Sequence, residues 1–283
     1  MTLNPLRRFM AAMFLALQAF GLVAAAPTAA FAFGACQAFS DRGEANVIPA
    51  RFGGTVPNET LALTFIGHAS FLIQSPGGAE VVTDYAGYHG QPTPPRAATM
   101  NNAHSTHFTY HPDPGIEHVL KGWPEEGETR AKHRVEVEDL KIRNVSTDVI
   151  DWDGSTRKNG NSIFIFELGD LCVAHLGHLH HVPTEAQFAA IGFLDVVMAP
   201  VDGGLTLSHA DMTAVLKRLQ AKLVLPMHYF GPATLQTFLT ELGGAFEVEL
   251  AKSSTVLVSK ATLPKKPTLL VTPPLSSDVY DYD

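Results

Sequence analysis

Residues 171–181 read LCVAHLGHLHH. A short apolar run, Leu171 to Ala174, breaks into four histidines, His175, His178, His180 and His181, out of thirteen in the chain. An apolar run of this length with glycine nearby reads as a buried strand. A strand that delivers several imidazoles at its end starts a metal site, because neutral imidazole nitrogen is the commonest transition-metal ligand in proteins. The alternative is a polar turn rich in histidine. A strand end cannot aim four side chains at one ion, so His178 is the expected ligand. His175, His180 and His181 are expected in support or at an entrance.

Outward from this stretch the rhythm decides the fold class. Downstream come a helix-like TEAQFAAI at 184–191, a strand LDVVMAP at 194–200, a helix from about Ser208 to Gln220 and a strand KLVLPMHYF at 222–230. Strands and helices alternating over short connections predict α/β packing. A further helix is expected over Leu235–Leu242, with FEVEL and TVLVS as closing strands. Upstream, LALTFIG and SFLIQS, a Pro76-Gly77-Gly78 turn and EVVTD read as an antiparallel start. Residues 86–96 read as a loop, 97–100 as a short strand, and 112–134 as a surface excursion around IEHVL. VEVEDLKIRNV at 135–145 alternates, and SIFIFEL at 162–168 is a strand by its β-branched and aromatic content.

Composition bounds the rest. With 283 residues, 46% of them hydrophobic and 17% charged, the chain can bury a sizeable core. A net charge of -8 argues against nucleic acid as a partner, since phosphates call for basic patches. Arg7 and Arg8 precede an apolar run from Phe9 to Ala26, and Ala30-Phe31-Ala32 fits an A-x-A cleavage pattern. Residues 1–32 are therefore expected to be a signal peptide of a periplasmic or secreted protein, without stable membrane association after cleavage. The alternative is an uncleaved anchor. Residues 33–59 follow as an N-terminal extension, 60–260 as the main domain and 261–283 as a loose, proline-containing tail. Cys36 and Cys172 fit an exported protein that does not depend on a disulfide framework, and sequence leaves both a pair and two free thiols open.

On this map the unusual polar residues fall at strand ends: His68 after LTFIG, Asp84 ending EVVTD, and His104 and His107 after 97–100. His178 follows LCVAHL, Asp202 follows LDVVMAP and His228 ends KLVLPM. Ligands of α/β proteins gather outside the carboxyl ends of strands, so these residues are expected to share one edge. The isolated His89, His111, His118, His133 and His209 read as surface or loop residues.

GHASFLI, the strand end at Asp84, NAHSTH, HLGHLHH, the PVDGG turn and PMHYF, in that order, resemble the metallo-β-lactamase superfamily. Within it they are similar to the broad Zn-dependent hydrolases related to ascorbate-phosphate lactonases. The resemblance spans roughly residues 60–258. It implies an α/β protein, an αββα sandwich with the site at one sheet edge, acting on a small-molecule substrate. The family's H-x-H-x-D-H motif falls on residues 102–107, with Asn102 in place of the first His and Thr106 in place of the Asp. Where this branch reads H-L-G-D with a metal-bridging Asp, the chain has His178. His228 is retained, and Asp84 matches the supporting Asp.

Carboxylates offset the repulsion between two close dications. Without them, one metal is expected, held by His104, His107, His178 and His228 or a subset, with His68 in reserve. Asp84, Asn102, His175 and His180 are expected around these ligands. Nitrogen-only ligation suits Zn²⁺, with Cu or Fe also compatible, and disfavours Mg²⁺ and Ca²⁺. The implied activity is hydrolysis of an ester, lactone or phosphoester through a metal-bound hydroxide, with Thr106, Asp202 or His181 moving protons. The alternatives are a non-catalytic periplasmic metal-binding protein of the same fold and a mononuclear iron oxidoreductase. The oligomeric state is not legible.

Overall fold

The computed structural model describes Cys36, residues 48–50 and residues 52–275. The expected signal peptide lies outside the described residues. Six strands come first: β1 (Ile48–Ala50), β2 (Leu61–Gly67), β3 (Ser70–Gln74), β4 (Glu80–Val82), β5 (Ala97–Met100) and β6 (His118–Lys121). A meander follows, β7 (Arg134–Val137), β8 (Leu140–Ile150), β9 (Thr156–Leu168) and β10 (Leu171–His175). Then α1 (Glu185–Ile191), β11 (Val196–Pro200), α2 (His209–Leu219), β12 (Leu223–Met227) and α3 (Pro232–Leu242) alternate. β13 (Glu247–Leu250), β14 (Thr255–Val258) and β15 (Thr268–Val271) come last.

The strands form two sheets, seven in the order β1-β14-β2-β3-β4-β5-β6 and eight in the order β13-β15-β12-β11-β10-β9-β8-β7. One core joins Phe65, Phe71 and Ile73 of the first sheet to Phe164, Val173, Val197 and Leu225 of the second. Met212, Leu216 and Phe238 bring α2 and α3 into the same core. Every residue of β10, β11 and β12 is buried, as the continuous apolar runs require of parallel strands covered on both faces. On the first sheet the alternate residues Ile66, Leu72, Val82, Ala98 and Met100 pack with Tyr85 and Ile116 in a second, smaller cluster.

Helix ends follow their sequence signals. Thr184 and Gln187 close a capping box on α1, and Ser208 caps α2 by accepting from the Asp211 N–H. α2 is the crossover between the parallel pair β11 and β12. The carbonyl end of α1 is tied to β8: Arg143 donates to the Ala190 and Ile191 carbonyls at 2.7 Å each and pairs with buried Glu167 at 2.7 Å. Removing one member of a buried pair strands the other charge. Arg143→Ala is therefore expected to lower unfolding stability by about 3 kcal/mol. Urea denaturation checks this, and a loss under about 1 kcal/mol would show that Glu167 finds other partners.

Three elements differ from expectation. IEHVL is not surface excursion, because His118–Lys121 joins the first sheet parallel to β5. β9 begins at Thr156, ahead of the apolar run, since its polar first half pairs with β8. Thr268–Val271, expected within a loose tail, lies between β12 and β13 with Thr268, Leu269 and Leu270 buried. Cys36 and Cys172 form a disulfide with Cα atoms 5.7 Å apart, anchoring Cys36 to the start of strand β10.

Candidate metal centre

Parallel pairing of β4 with β5 and of β10 with β11 and β12 puts their carboxyl ends on common edges. The segments leaving them carry Asp84, His104 and His107, His178, Asp202 and His228. The β2–β3 turn adds His68, whose carbonyl accepts the His228 N–H at 2.7 Å. His68, Asp84 and His228 all have positive φ, 51°, 52° and 56°. Non-glycine residues avoid that region, and where they hold it the surroundings over-determine it, most often at functional sites.

Five imidazoles meet here. The ring of His107 lies 5.2 Å from His68, 5.6 Å from His104, 4.6 Å from His178 and 5.1 Å from His228, centroid to centroid. Among the described residues, His68, His107 and His228 each offer a ligand atom within 4.8 Å of the other two, and all three are buried. His107 Nδ1 donates to Asp84 Oδ2, and His228 Nδ1 donates to Asp202 Oδ2 at 2.9 Å. Each carboxylate fixes its ring and leaves the Nε2 lone pair facing inward. The two Nε2 atoms are 3.3 Å apart. Two lone pairs at that distance repel, so the donor set fits a cation bound between them.

Burial disfavours the charged form of His68, His104, His107 and His178. It lowers His68 to about 3, reinforced by His228 and His107. His107 and His178 are driven well below the usual range by burial first and by neighbouring imidazoles second. Burial also pushes the Asp84 carboxyl up to about 6. For Asp202 burial works against ionisation, yet hydrogen bonds from His228, Thr206 and the Gly204 N–H outweigh it and hold the acid well below its usual range.

A cavity of about 590 Å³ opens over the centre. His68, His104, His178 and His228 line it, with Asn102, Thr106 and Arg157. Its rim is apolar: Trp152 is 83% exposed, Phe230 52%, Leu205 45% and Ile150 44%.

The model of the beta-lactamase superfamily domain matches residues 62–228, more than half of the chain. The chain belongs to the metallo-β-lactamase superfamily. A Thermotoga maritima protein described as a Zn-dependent hydrolase of this superfamily is 25% identical with a TM-score of 0.55, over 75% of this chain and 98% of that one. A Parabacteroides distasonis protein described as a metal-dependent hydrolase has 15% identity and a TM-score of 0.51, over 65% of this chain and 89% of that one. No curated protein matches the chain.

Within the superfamily frame, each expected site residue has a definite place. His104 stands at the cavity wall, with Nδ1 3.2 Å from Thr106 Oγ1 and its ring 5.6 Å from Trp152. His178 faces His107 and His228, and its Nδ1 is 2.6 Å from His180 Nε2. Asn102 accepts from Arg157 at 3.1 Å. His175 serves the framework: its Nε2 donates to the Ala69 carbonyl at 2.7 Å, and its Nδ1 receives the Gly177 N–H at 3.1 Å. Asp202 Oδ1 accepts the Gly204, Leu205 and Thr206 N–H groups, and Oδ2 takes the Thr206 hydroxyl besides His228. His181 is half-buried and not among the cavity-lining residues. His209, expected at the surface, is buried and donates to the Val201 carbonyl at 3.1 Å.

Sequence reasoning missed the asparagines that set the wall. Asn161 Oδ1 accepts the His178 N–H at 2.9 Å, and Asn101 donates to Ser162 O at 2.9 Å beside His175. Gly177, at φ 62°, passes so close to both that a Cβ there would collide with them. Arg157 and Trp152, at the β8–β9 hairpin, were missed as well; no local pattern marks them.

Proposed function

We propose that the chain is an exported metal-dependent hydrolase with one ion, Zn²⁺ by its donor chemistry, held by His68, His107 and His228. The reading is carried by the facing Nε2 atoms of His107 and His228, 3.3 Å apart with both Nδ1 protons committed to buried carboxylates. His104 is the next imidazole able to join. When bound, such an ion acidifies a water and polarises the substrate oxygen that gains charge.

The chain's own residues do the rest. Asp84 and Asp202 hold the two rings and keep their inner nitrogens unprotonated. With five donors on its two oxygens, Asp202, one of the three proton-transfer candidates, is better suited to positioning His228. Thr106 lines the cavity and remains the residue for proton transfer. Trp152, Phe230, Leu205 and Ile150 suit a substrate with an apolar body, and the scissile group is an ester, lactone or phosphoester. Export is supported by Arg7-Arg8 before the apolar run and by the Cys36–Cys172 disulfide, which persists in oxidising compartments.

The test is metal analysis of the purified mature chain with nitrophenyl ester, lactone and phosphodiester substrates. One zinc per chain is expected, with turnover of at least one substrate class lost on chelation and restored by zinc. Two metals per chain would overturn the mononuclear reading, and turnover that survives chelation would overturn the metal-dependent one. N-terminal sequencing of the exported chain checks cleavage near Ala32.

A further inference from the structure

Two kinds of second partner hold the imidazoles of this centre. His107 and His228 give their Nδ1 protons to carboxylates, so their inner nitrogens are acceptors. His178 is held differently. The Ile150 backbone N–H donates to His180 Nδ1 at 2.8 Å. An amide nitrogen cannot accept, so Nδ1 of His180 carries the lone pair and the ring's proton sits on Nε2. That Nε2 is 2.6 Å from His178 Nδ1 and must be the donor there. His178 Nδ1 is therefore an acceptor, and the neutral ring carries its own proton on Nε2, across the ring from His180. The tautomers follow from the network, and the backbone amide fixes their direction.

The backbone of His178 is fixed as well. Its N–H is held by Asn161 Oδ1 at 2.9 Å, and Gly177 before it has no room for a side chain. The ring lies 4.6 Å from His107 and 4.9 Å from His228 and lines the cavity that opens over them. Asn102 and the Arg157 guanidinium line the same cavity. With Nδ1 taken by His180 and the proton on Nε2, the neutral imidazole has no free lone pair for a cation, but its Nε2–H can donate to an anion.

We propose that His178 is a fixed Nε2–H donor to an anionic or charge-gaining substrate oxygen beside the ion, and not a metal ligand. The substrate class is then one that places a carboxylate, phosphoryl or developing acyl oxygen next to the metal. The substrate role rests on the metal-hydrolase reading; the tautomer assignment does not.

The test is two-bond ¹H–¹⁵N correlation spectroscopy of the full mature chain labelled with ¹⁵N-histidine, at neutral pH, before and after Zn²⁺. Single-histidine variants assign the signals. His178 is expected as the Nε2–H tautomer in both states, while His107 and His228 are Nδ1–H tautomers whose Nε2 signals move on zinc addition. An Nδ1–H form of His178, or a zinc-induced shift of its Nε2 into the ligand group, would overturn the proposal. His178→Leu is expected to keep one zinc per chain with affinity changed less than about threefold, below the roughly 10- to 100-fold that losing an outer-shell partner of a ligand costs. It is also expected to weaken inorganic phosphate binding to the zinc-loaded protein at least about tenfold, the loss of one charge-assisted hydrogen bond. His178→Gln, which keeps an N–H donor, should restore most of the phosphate binding. Zinc loss in His178→Leu as deep as in a His228 variant would count against a donor role. If the spectra hold and no substrate turns over, the hydrolase reading fails and the donor assignment stands.

Discussion

His228→Ala is expected to weaken zinc binding by more than roughly 100-fold, beyond what losing an outer-shell partner costs, and to remove hydrolysis with it. The imidazole is one of three whose ligand atoms lie within 4.8 Å of one another, and its removal leaves two. The fold should survive. Asp202 keeps four donors from the 204–206 turn and Thr206, so the substitution strands no buried charge. The backbone bond from the residue 228 N–H to the His68 carbonyl is independent of the side chain. Apo-protein melting and a zinc isotherm, read together, separate the two effects. Unchanged zinc affinity in a folded His228→Ala chain would remove this residue from the centre.

The architecture was legible where burial is continuous. Residues 171–174, Val196–Pro200 and Leu223–Met227 are apolar throughout because both faces of these strands are covered, and a pattern of that kind survives in sequence. The polar half of β9 was not legible. Thr156 to Asn161 pairs with β8 at a rim where most side chains reach water, so pairing and not burial makes it a strand. β15 hid for another reason: four residues between prolines look like tail until a parallel partner on each side is known.

At the site, sequence could place imidazoles on one edge but could not say which nitrogens meet. That depends on left-handed turns at His68 and His228 and on what each outer nitrogen touches. His180 shows the limit. Its orientation comes from the Ile150 N–H, thirty positions away, through the β8–β9 hairpin.

Asp84→Asn is expected to separate stability from metal binding. Asp84 is wholly buried and accepts from His107 Nδ1 and, at 3.3 Å, from the Asn101 N–H. An asparagine keeps the shape and the turn at φ 52°, a region that residue tolerates well. If its oxygen faces His107, the orienting bond becomes a neutral and weaker one. If its amide faces His107, the ring must accept at Nδ1 and put its proton on Nε2, where the ion would bind. Either way zinc affinity should fall by about 10- to 100-fold. The effect on the metal-free fold has the opposite sign. Burial raises the Asp84 carboxyl to about 6 from a usual 3.8, so the fold favours its neutral form and loses stability as pH rises between those values. The neutral amide escapes that cost, so above pH 7 the metal-free variant should melt no lower than the parent chain. Thermal unfolding of both apo-proteins at pH 8, beside their zinc isotherms, decides the matter. A collapsed melt with unchanged zinc affinity would make Asp84 a structural acid and not the residue that aims His107.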